Sequence, residues 1–389
     1  MNTLLSSLAH PDDLPAAVQT VVQQAIDEQR LTGAVVAIAW RGDMIYHSAS
    51  GMADREAGTA MKTDTIFRLA SVSKPIVTTA AMVLIARHQL TLDADIRRWL
   101  PDFVPVLPDG HQAVITVRQL MSHTAGLGYR FFEEDETGPY AQAGVSDGMD
   151  NSSISLEVNL QCIARVPLLY QPGSRWGYSL ATDVLGALVA QVHGTTLAQA
   201  VQDLVTGPLG MVDTAFSVID ASRVATAYVS DVPQPHRLHE GERVPVIPGT
   251  SGIVFSPDRI FNHSAWPSAG AGMAGTARDI LRLLEALRQG DKRLLPRDLV
   301  AEMTRDQTDG AELPEMPGVG FGLGFSILRD PLLAASPEST GTWRWGGAYG
   351  HAWFVDPVQE LSVVALTNTL YEGMSGQFVN ALRDAVYGV

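Results

Sequence analysis

Several things are scarce in this chain, and each scarcity excludes something. Of its 389 residues only Cys162 is cysteine, so no disulfide can close within the chain and thiolate-rich zinc or iron–sulfur sites are ruled out. Long apolar runs are missing, and none approaches the roughly 18 residues that a membrane-spanning helix needs. Positive charge is scarce too: 27 Lys and Arg stand against 42 Asp and Glu, a formal charge of −15. A phosphate backbone or an anionic lipid surface would be repelled, so neither nucleic acid nor a membrane is expected as a partner, and a small molecule is. What is present is 46% hydrophobic and 18% charged, the balance of a folded globular chain long enough to bury its core without staples.

Cys162 falls in the apolar-periodic stretch 156–163, where a lone cysteine acts as a small buried hydrophobe. Residues 1–20 carry Asp12 and Asp13 and show no basic leader followed by an apolar segment and a cleavage site. A cytoplasmic location is the expectation from both features.

Val18, Val21, Val22, Ala25 and Ile26 share one stripe of an opening helix. Residues 33–40 and 44–48 are short apolar runs separated by Arg41-Gly42-Asp43, which reads as a β-hairpin. The far end mirrors this with strand-like residues 343–355, the turn Asp356-Pro357, a further run at 361–367 and a helical stretch at 378–386. An isolated hairpin is marginal in water, so the two ends are expected to share one sheet. Between them, residues 75–90, 117–122, 180–192, 197–204 and 277–287 read as helices, and 230–267, with six prolines and three of the ten histidines, reads as a long loop. The expected architecture is α+β: an antiparallel sheet flanked by helices (residues 1–85 and 264–389) with an inserted, mostly helical domain (86–263).

Ser71-Val72-Ser73-Lys74 carries the first chemical content. A serine hydroxyl needs a base within hydrogen-bond reach, and residues three apart share one face of a helical turn. Alone, the tetrapeptide is common and is usually a helix cap followed by a solvated lysine. Its surroundings are more specific: Phe67-Arg68-Leu69-Ala70 before it, Pro75-Ile76-Val77 after it, then Leu120-Met121-Ser122-His123-Thr124-Ala125-Gly126-Leu127, Pro172-Gly173-Ser174-Arg175-Trp176-Gly177-Tyr178-Ser179 and Pro208-Leu209-Gly210-Met211-Val212-Asp213-Thr214. Together these words resemble the serine β-lactamase and penicillin-binding-protein superfamily on its class C side, and the family VIII carboxylesterases that share that fold.

The resemblance implies that Ser71 is acylated, that Lys74 assists, and that Tyr178, in the place of the family's Tyr-x-Asn tyrosine, joins them in moving the proton. A phenol beside an ammonium is a sensible pair, because positive charge favours phenolate. Two departures matter. Leu180 replaces the asparagine, and the family's Lys-Thr-Gly strand corresponds to Trp345-Gly346-Gly347, followed by Ala348. Trp345 in place of lysine removes the cation that would hold a β-lactam or peptide carboxylate, which favours neutral acyl substrates. The resemblance further implies an oxyanion hole from the amides of Ser71 and Ala348 beside a pocket strand at Trp345, Gly346 and Gly347. Tyr129, Tyr349 and His351, by their place near that strand and the family words, are read as further pocket lining. No cofactor and no metal are implied.

Other motifs compete less well. Gly144-Val145-Ser146-Asp147-Gly148 fits the nucleophile-elbow pattern, but no apolar strand enters it, so it reads as a turn. Gly270-Ala271-Gly272-Met273-Ala274-Gly275 spells a dinucleotide fingerprint without the preceding strand; it reads as a glycine turn leading to a helix capped by a Thr276–Asp279 box. His236 and His239 lack a third metal ligand, and His123 reads as part of a structural turn. The function expected is a serine carboxylesterase acting on small neutral esters. A β-lactamase, D,D-peptidase or acyltransferase on the same fold, and an acyl-binding sensor without turnover, are the alternatives.

Overall fold

The computed structural model describes residues 13–218 and 220–389; the opening segment used for the location argument lies largely outside them. The first strands are β1 (Gly33–Trp40), β2 (Asp43–Asp54) and β3 (Thr59–Ala60). A short ribbon joins β4 (Phe67–Arg68) to β5 (Ala274–Gly275). The last strands are β6 (Val319–Phe321), β7 (Ser326–Leu328), β8 (Trp343–Gly347), β9 (His351–Asp356) and β10 (Leu361–Thr367). They form one antiparallel sheet of eight strands in the order β6-β7-β8-β9-β10-β1-β2-β3. The two chain ends meet at its centre, where β10 pairs with β1 and Val36 lies opposite Ala365.

Both central strands are buried along nearly their whole length, and alternation divides their side chains between two faces. Ala34, Val36 and Ile38 pack with Val363 and Ala365 under helices α1 (Leu14–Asp27) and, at the chain end, Gln377–Tyr387. Val35, Ala37 and Ala39 turn the other way, into the larger core shared with Val364, Leu366 and Ile280. The β1–β2 turn is formed by Arg41 (φ 53°) and Gly42 (φ 97°), the positive angles that a two-residue hairpin demands.

Beyond the sheet lies α2 (Ser73–Ala86), whose residues 73–84 are all buried and which belongs to the same core as α3 (Leu156–Arg165) and α4 (Ala181–His193). Cys162 sits buried in α3 as a packing residue. Among the described residues no single helix is long and apolar enough to cross a membrane.

Three expectations change. Residues 343–355 are two strands rather than one, because Gly350 at φ 107° turns the chain back and pairs Trp345 with Trp353. Residues 230–267 hold short strands at His236–Arg237, Glu242–Val244 and Ile253–Phe255. Thr276 does cap α5 (Ala277–Gln289), accepting from Asp279 N at 3.3 Å. The reciprocal half of the box is replaced, since Asp279 Oδ2 accepts from Asp213 N at 2.9 Å and from Thr214 Oγ1 at 3.1 Å.

Candidate active site

Ser71 sits in a single 3-10 turn, Ala70–Val72, that leads directly into α2. Ala70 immediately before it is buried at φ 45°, a left-handed angle costing an alanine roughly 1–2 kcal/mol, so the surrounding packing must hold this bend. Helical spacing then brings Lys74 back over Ser71. The Lys74 Nζ donates to Ser71 Oγ at 3.0 Å and to the Gly270 carbonyl at 2.9 Å, on a residue only 1% exposed. The Tyr178 hydroxyl, arriving from the segment before α4, donates to the same Ser71 Oγ at 2.7 Å. The Lys74 Nζ also stands 4.6 Å from the Tyr178 ring centroid, so charge and ring face attract.

A second layer fixes these groups. Asp183 Oδ1 accepts from Gly270 N at 3.1 Å and from Ser268 Oγ at 2.8 Å, which orients the loop whose carbonyl holds Lys74. Burial raises the Asp183 pKa, while its two hydrogen bonds and the nearby Lys74 charge pull it back. Neither Asp183 nor Gly270 was assigned to the site from sequence, and they are more than eighty positions apart. His123 is buried; its Nδ1 accepts from Ser179 N at 3.2 Å and its ring lies 4.9 Å from that of Tyr178. Burial and the positive charge of Lys74 push its protonation well below the usual imidazole range, so His123 is a neutral wall.

The aromatic surroundings are dense. The Tyr178 ring has Trp345 and Tyr129 each with centroids at 5.2 Å, and Phe321 meets Trp345 edge-on at 5.2 Å. Trp176 stacks on Tyr178 at 6.5 Å. Phe321 and Trp176 were not singled out from the sequence, although Trp176 lies in one of the family words. Gly346 and Gly347 end β8 beside the Ser71 turn, and Ala348 follows them in the connection to β9.

Two of the expected pocket residues are not part of the aromatic wall around Ser71. His351 is fully buried, its Nε2 is 2.7 Å from Arg68 O, and burial lowers its pKa to about 4. It supports the Gly347 backbone from behind rather than facing an open pocket. Tyr349 lines a cavity with Arg68 and Arg259, and burial pushes its phenol up to about 12. Ser146 is locked in its turn, with its hydroxyl on Asp150 and its amide donating to Asn159 Oδ1 at 2.9 Å. His236 is engaged by Asp231 and Glu242, and no cluster of metal-binding side chains occurs among the described residues.

An antiparallel sheet beside a buried helix that opens on Ser-x-x-Lys, with a phenol brought onto the serine, defines the penicillin-recognising class of serine-acylating proteins. The chain belongs to the beta-lactamase family, whose model matches residues 18–387. It is 48% identical to Esterase EstB of Burkholderia gladioli over 375 residues, covering 96% of this chain and 95% of that one. Among solved structures it superposes with a TM-score of 0.94 on EstCE1, described as a hydrolase with promiscuous acyltransferase activity, at 46% identity and with 97% and 99% of the two chains covered. Simvastatin synthase of Aspergillus terreus shares the fold at a TM-score of 0.76 and 21% identity, with 98% of each chain covered.

Proposed function

We propose that the protein is a family VIII carboxylesterase of the cytoplasm that hydrolyses small neutral carboxylic esters through an acyl-enzyme. One observation carries the reading: a single hydroxyl oxygen, Ser71 Oγ, has an amine at 3.0 Å and a phenol at 2.7 Å. Lys74 and Tyr178 take the proton from Ser71 as its oxygen attacks the ester carbonyl, and the Ser71 and Ala348 amides receive the developing oxyanion. The pair returns the proton to the departing alkoxide, which leaves as alcohol. Water, deprotonated by the same pair, then attacks the acyl carbon, and the acid leaves as Ser71 regains its proton.

The wall beside Ser71 supports the choice of neutral esters. Trp345 fills the lysine position of the family's third motif and packs on Tyr178 and Phe321, where apolar burial is rewarded by about 0.8 kcal/mol per methylene. Similarity to relatives named as an esterase and a hydrolase supports the reaction class. The single cysteine suits a reducing compartment.

Fluorophosphonate treatment followed by peptide mass spectrometry tests the nucleophile, with the adduct expected on Ser71 and an adduct on Ser146 overturning the assignment. Turnover of p-nitrophenyl butyrate is expected to exceed that of nitrocefin. Stoichiometric labelling without turnover of any ester would make the protein an acyl-binding module instead.

A further inference from the structure

A small cavity of about 20 Å³ is lined by Arg68, Arg259, Ser256, Tyr349, Ala271 and Met273 among others. Arg68 donates from Nε to Pro257 O at 2.7 Å and from Nη1 to Ala225 O at 2.6 Å. Arg259 donates from Nη1 to Asp150 O at 2.7 Å and from Nη2 to Trp266 O at 2.6 Å. All four acceptors are main-chain carbonyls, so neither guanidinium is neutralised by contact with a carboxylate among the described residues. Asp258 and Glu240 act on Arg68, and Asp150 and Asp183 on Arg259, only from longer range. Nη2 of Arg68 and Nε of Arg259 have no acceptor among those residues.

A third donor is unspent. Ser256 is 2% exposed and its Oγ has no hydrogen-bond partner, a costly arrangement unless a ligand or water completes it. Two buried-side guanidinium groups, a hydroxyl and the Tyr349 phenol make a donor set matched to an acceptor-only anion. In a chain of net charge −15, two cations without ionic partners, facing one cavity, point to a ligand that brings the negative charge.

The lining of the cavity adjoins the catalytic residues along the chain. Ala271 follows Gly270, whose carbonyl holds Lys74, and Tyr349 follows Ala348. Arg68 precedes Ser71 by three residues, and the Met273 amide donates to Ser73 Oγ at 3.2 Å, tying this lining to the start of α2. We propose that the cavity holds a carboxylate at the far end of the acyl group, which makes half-esters of dicarboxylic acids the favoured substrates. The inference rests on the esterase reading and extends its acyl side from neutral chains to chains that end in an anion. The reaction is unchanged: ester and water give alcohol and the dicarboxylate, with the distal carboxylate charge-paired to the arginines throughout.

The test compares monoethyl succinate, glutarate and adipate with ethyl butyrate, pentanoate and hexanoate in a pH-stat, together with calorimetric titration by glutarate. At least one half-ester is expected to exceed its neutral counterpart about ten-fold or more in kcat/KM, and Arg259→Met to cut that ratio about ten-fold, with Arg259→Lys keeping part of it. Ser256→Ala, which removes only an unpaired hydroxyl, is expected to lower the ratio a few-fold and decides the matter if Arg259→Met does not fold. Ratios at or below one for all three pairs, with the neutral esters turned over, overturn the proposal and leave the esterase standing. If the wild type turns over no ester, the esterase reading fails on its own. Glutarate binding weakened by Ser256→Ala then supports the cavity, and absence of binding overturns it.

Discussion

Gly347 lies flush against Leu69, so that a Cβ built on the glycine would stand 2.5 Å from the leucine carbonyl oxygen. Leu69 comes two residues before Ser71 and Gly347 one residue before Ala348, so this contact sets the spacing between the nucleophile and the strand that faces it. A backbone oxygen cannot swing aside as a side chain does. Gly347→Ala is therefore expected to push β8 away from the Ser71 turn and to cut kcat for p-nitrophenyl butyrate about 100-fold or more, the scale of a lost oxyanion donor. Overpacking would cost about 1–3 kcal/mol of stability. Steady-state kinetics beside a thermal melt check both, and unchanged kcat would show that Gly347 does not govern the catalytic spacing.

The Ser71 oxygen receives two donors, and removing the oxygen or the phenol separates nucleophile from proton carrier. Ser71→Ala is expected to abolish ester turnover and fluorophosphonate labelling together. Tyr178→Phe keeps the ring among Trp345, Tyr129 and His123 and deletes only the hydroxyl, so activity should fall by about 100- to 10,000-fold with the melting temperature little changed. Ser146→Ala removes a hydroxyl already held by Asp150 and should leave kcat within about two-fold of wild type. Parallel kinetics on the three variants check these orderings.

What could be read in the sequence was what is local or repeated. The β1–β2 hairpin and the closing helix follow from apolar periodicity, and Ser71 and Lys74 are three residues apart on one helical turn. Tyr178 carries no local signal, and only the family words around it singled it out. Asp183 and Gly270 escaped because their relation exists only in three dimensions, with a carboxylate on α4 orienting a loop that α2 also uses. Strand β6 lies in Gly318-Val319-Gly320-Phe321-Gly322-Leu323-Gly324-Phe325, directly before β7, where glycine at every second position hides strand alternation as loop composition. His351 was correctly attached to the sheet end but assigned the wrong surroundings, since the tight Gly350 turn decides which way its ring faces.

Trp345 contributes packing at the position where the Lys-Thr-Gly motif of the family resemblance would carry a charge. Its ring meets both Tyr178 and Phe321 at 5.2 Å, and aromatic pairs of this kind are worth about 0.5–1.5 kcal/mol each beyond area burial. Trp345→Leu is expected to lower kcat/KM for p-nitrophenyl butyrate about ten-fold as Tyr178 loses its side support. Trp345→Lys should lower it further while raising the ratio of nitrocefin to butyrate turnover, because it supplies a cation for a substrate carboxylate. A ratio that stays constant would remove Trp345 as the reason for preferring esters over β-lactams.

Asp147 and His351 titrate with opposite effect on stability over the same pH range. Burial raises Asp147 to about 7 from 3.8, although its carboxylate accepts the Arg130 and Phe131 amides at 3.0 Å each. Between those values the folded chain holds a proton that the unfolded chain has lost, so this residue makes stability fall as pH rises. His351 is lowered to about 4 from 6.5 by burial; there the unfolded chain holds the extra proton, so stability rises with pH. Each slope is at most about 1.4 kcal/mol per pH unit, and the two cancel in part between about pH 4 and 6.5, the window they share. Thermal melts across that window should show Asp147→Asn tilting the wild-type curve toward higher stability at higher pH, and His351→Gln tilting it the other way. A shift of either variant by the same amount at every pH would mean that its residue does not titrate there. The wild-type curve would then owe its shape to other groups.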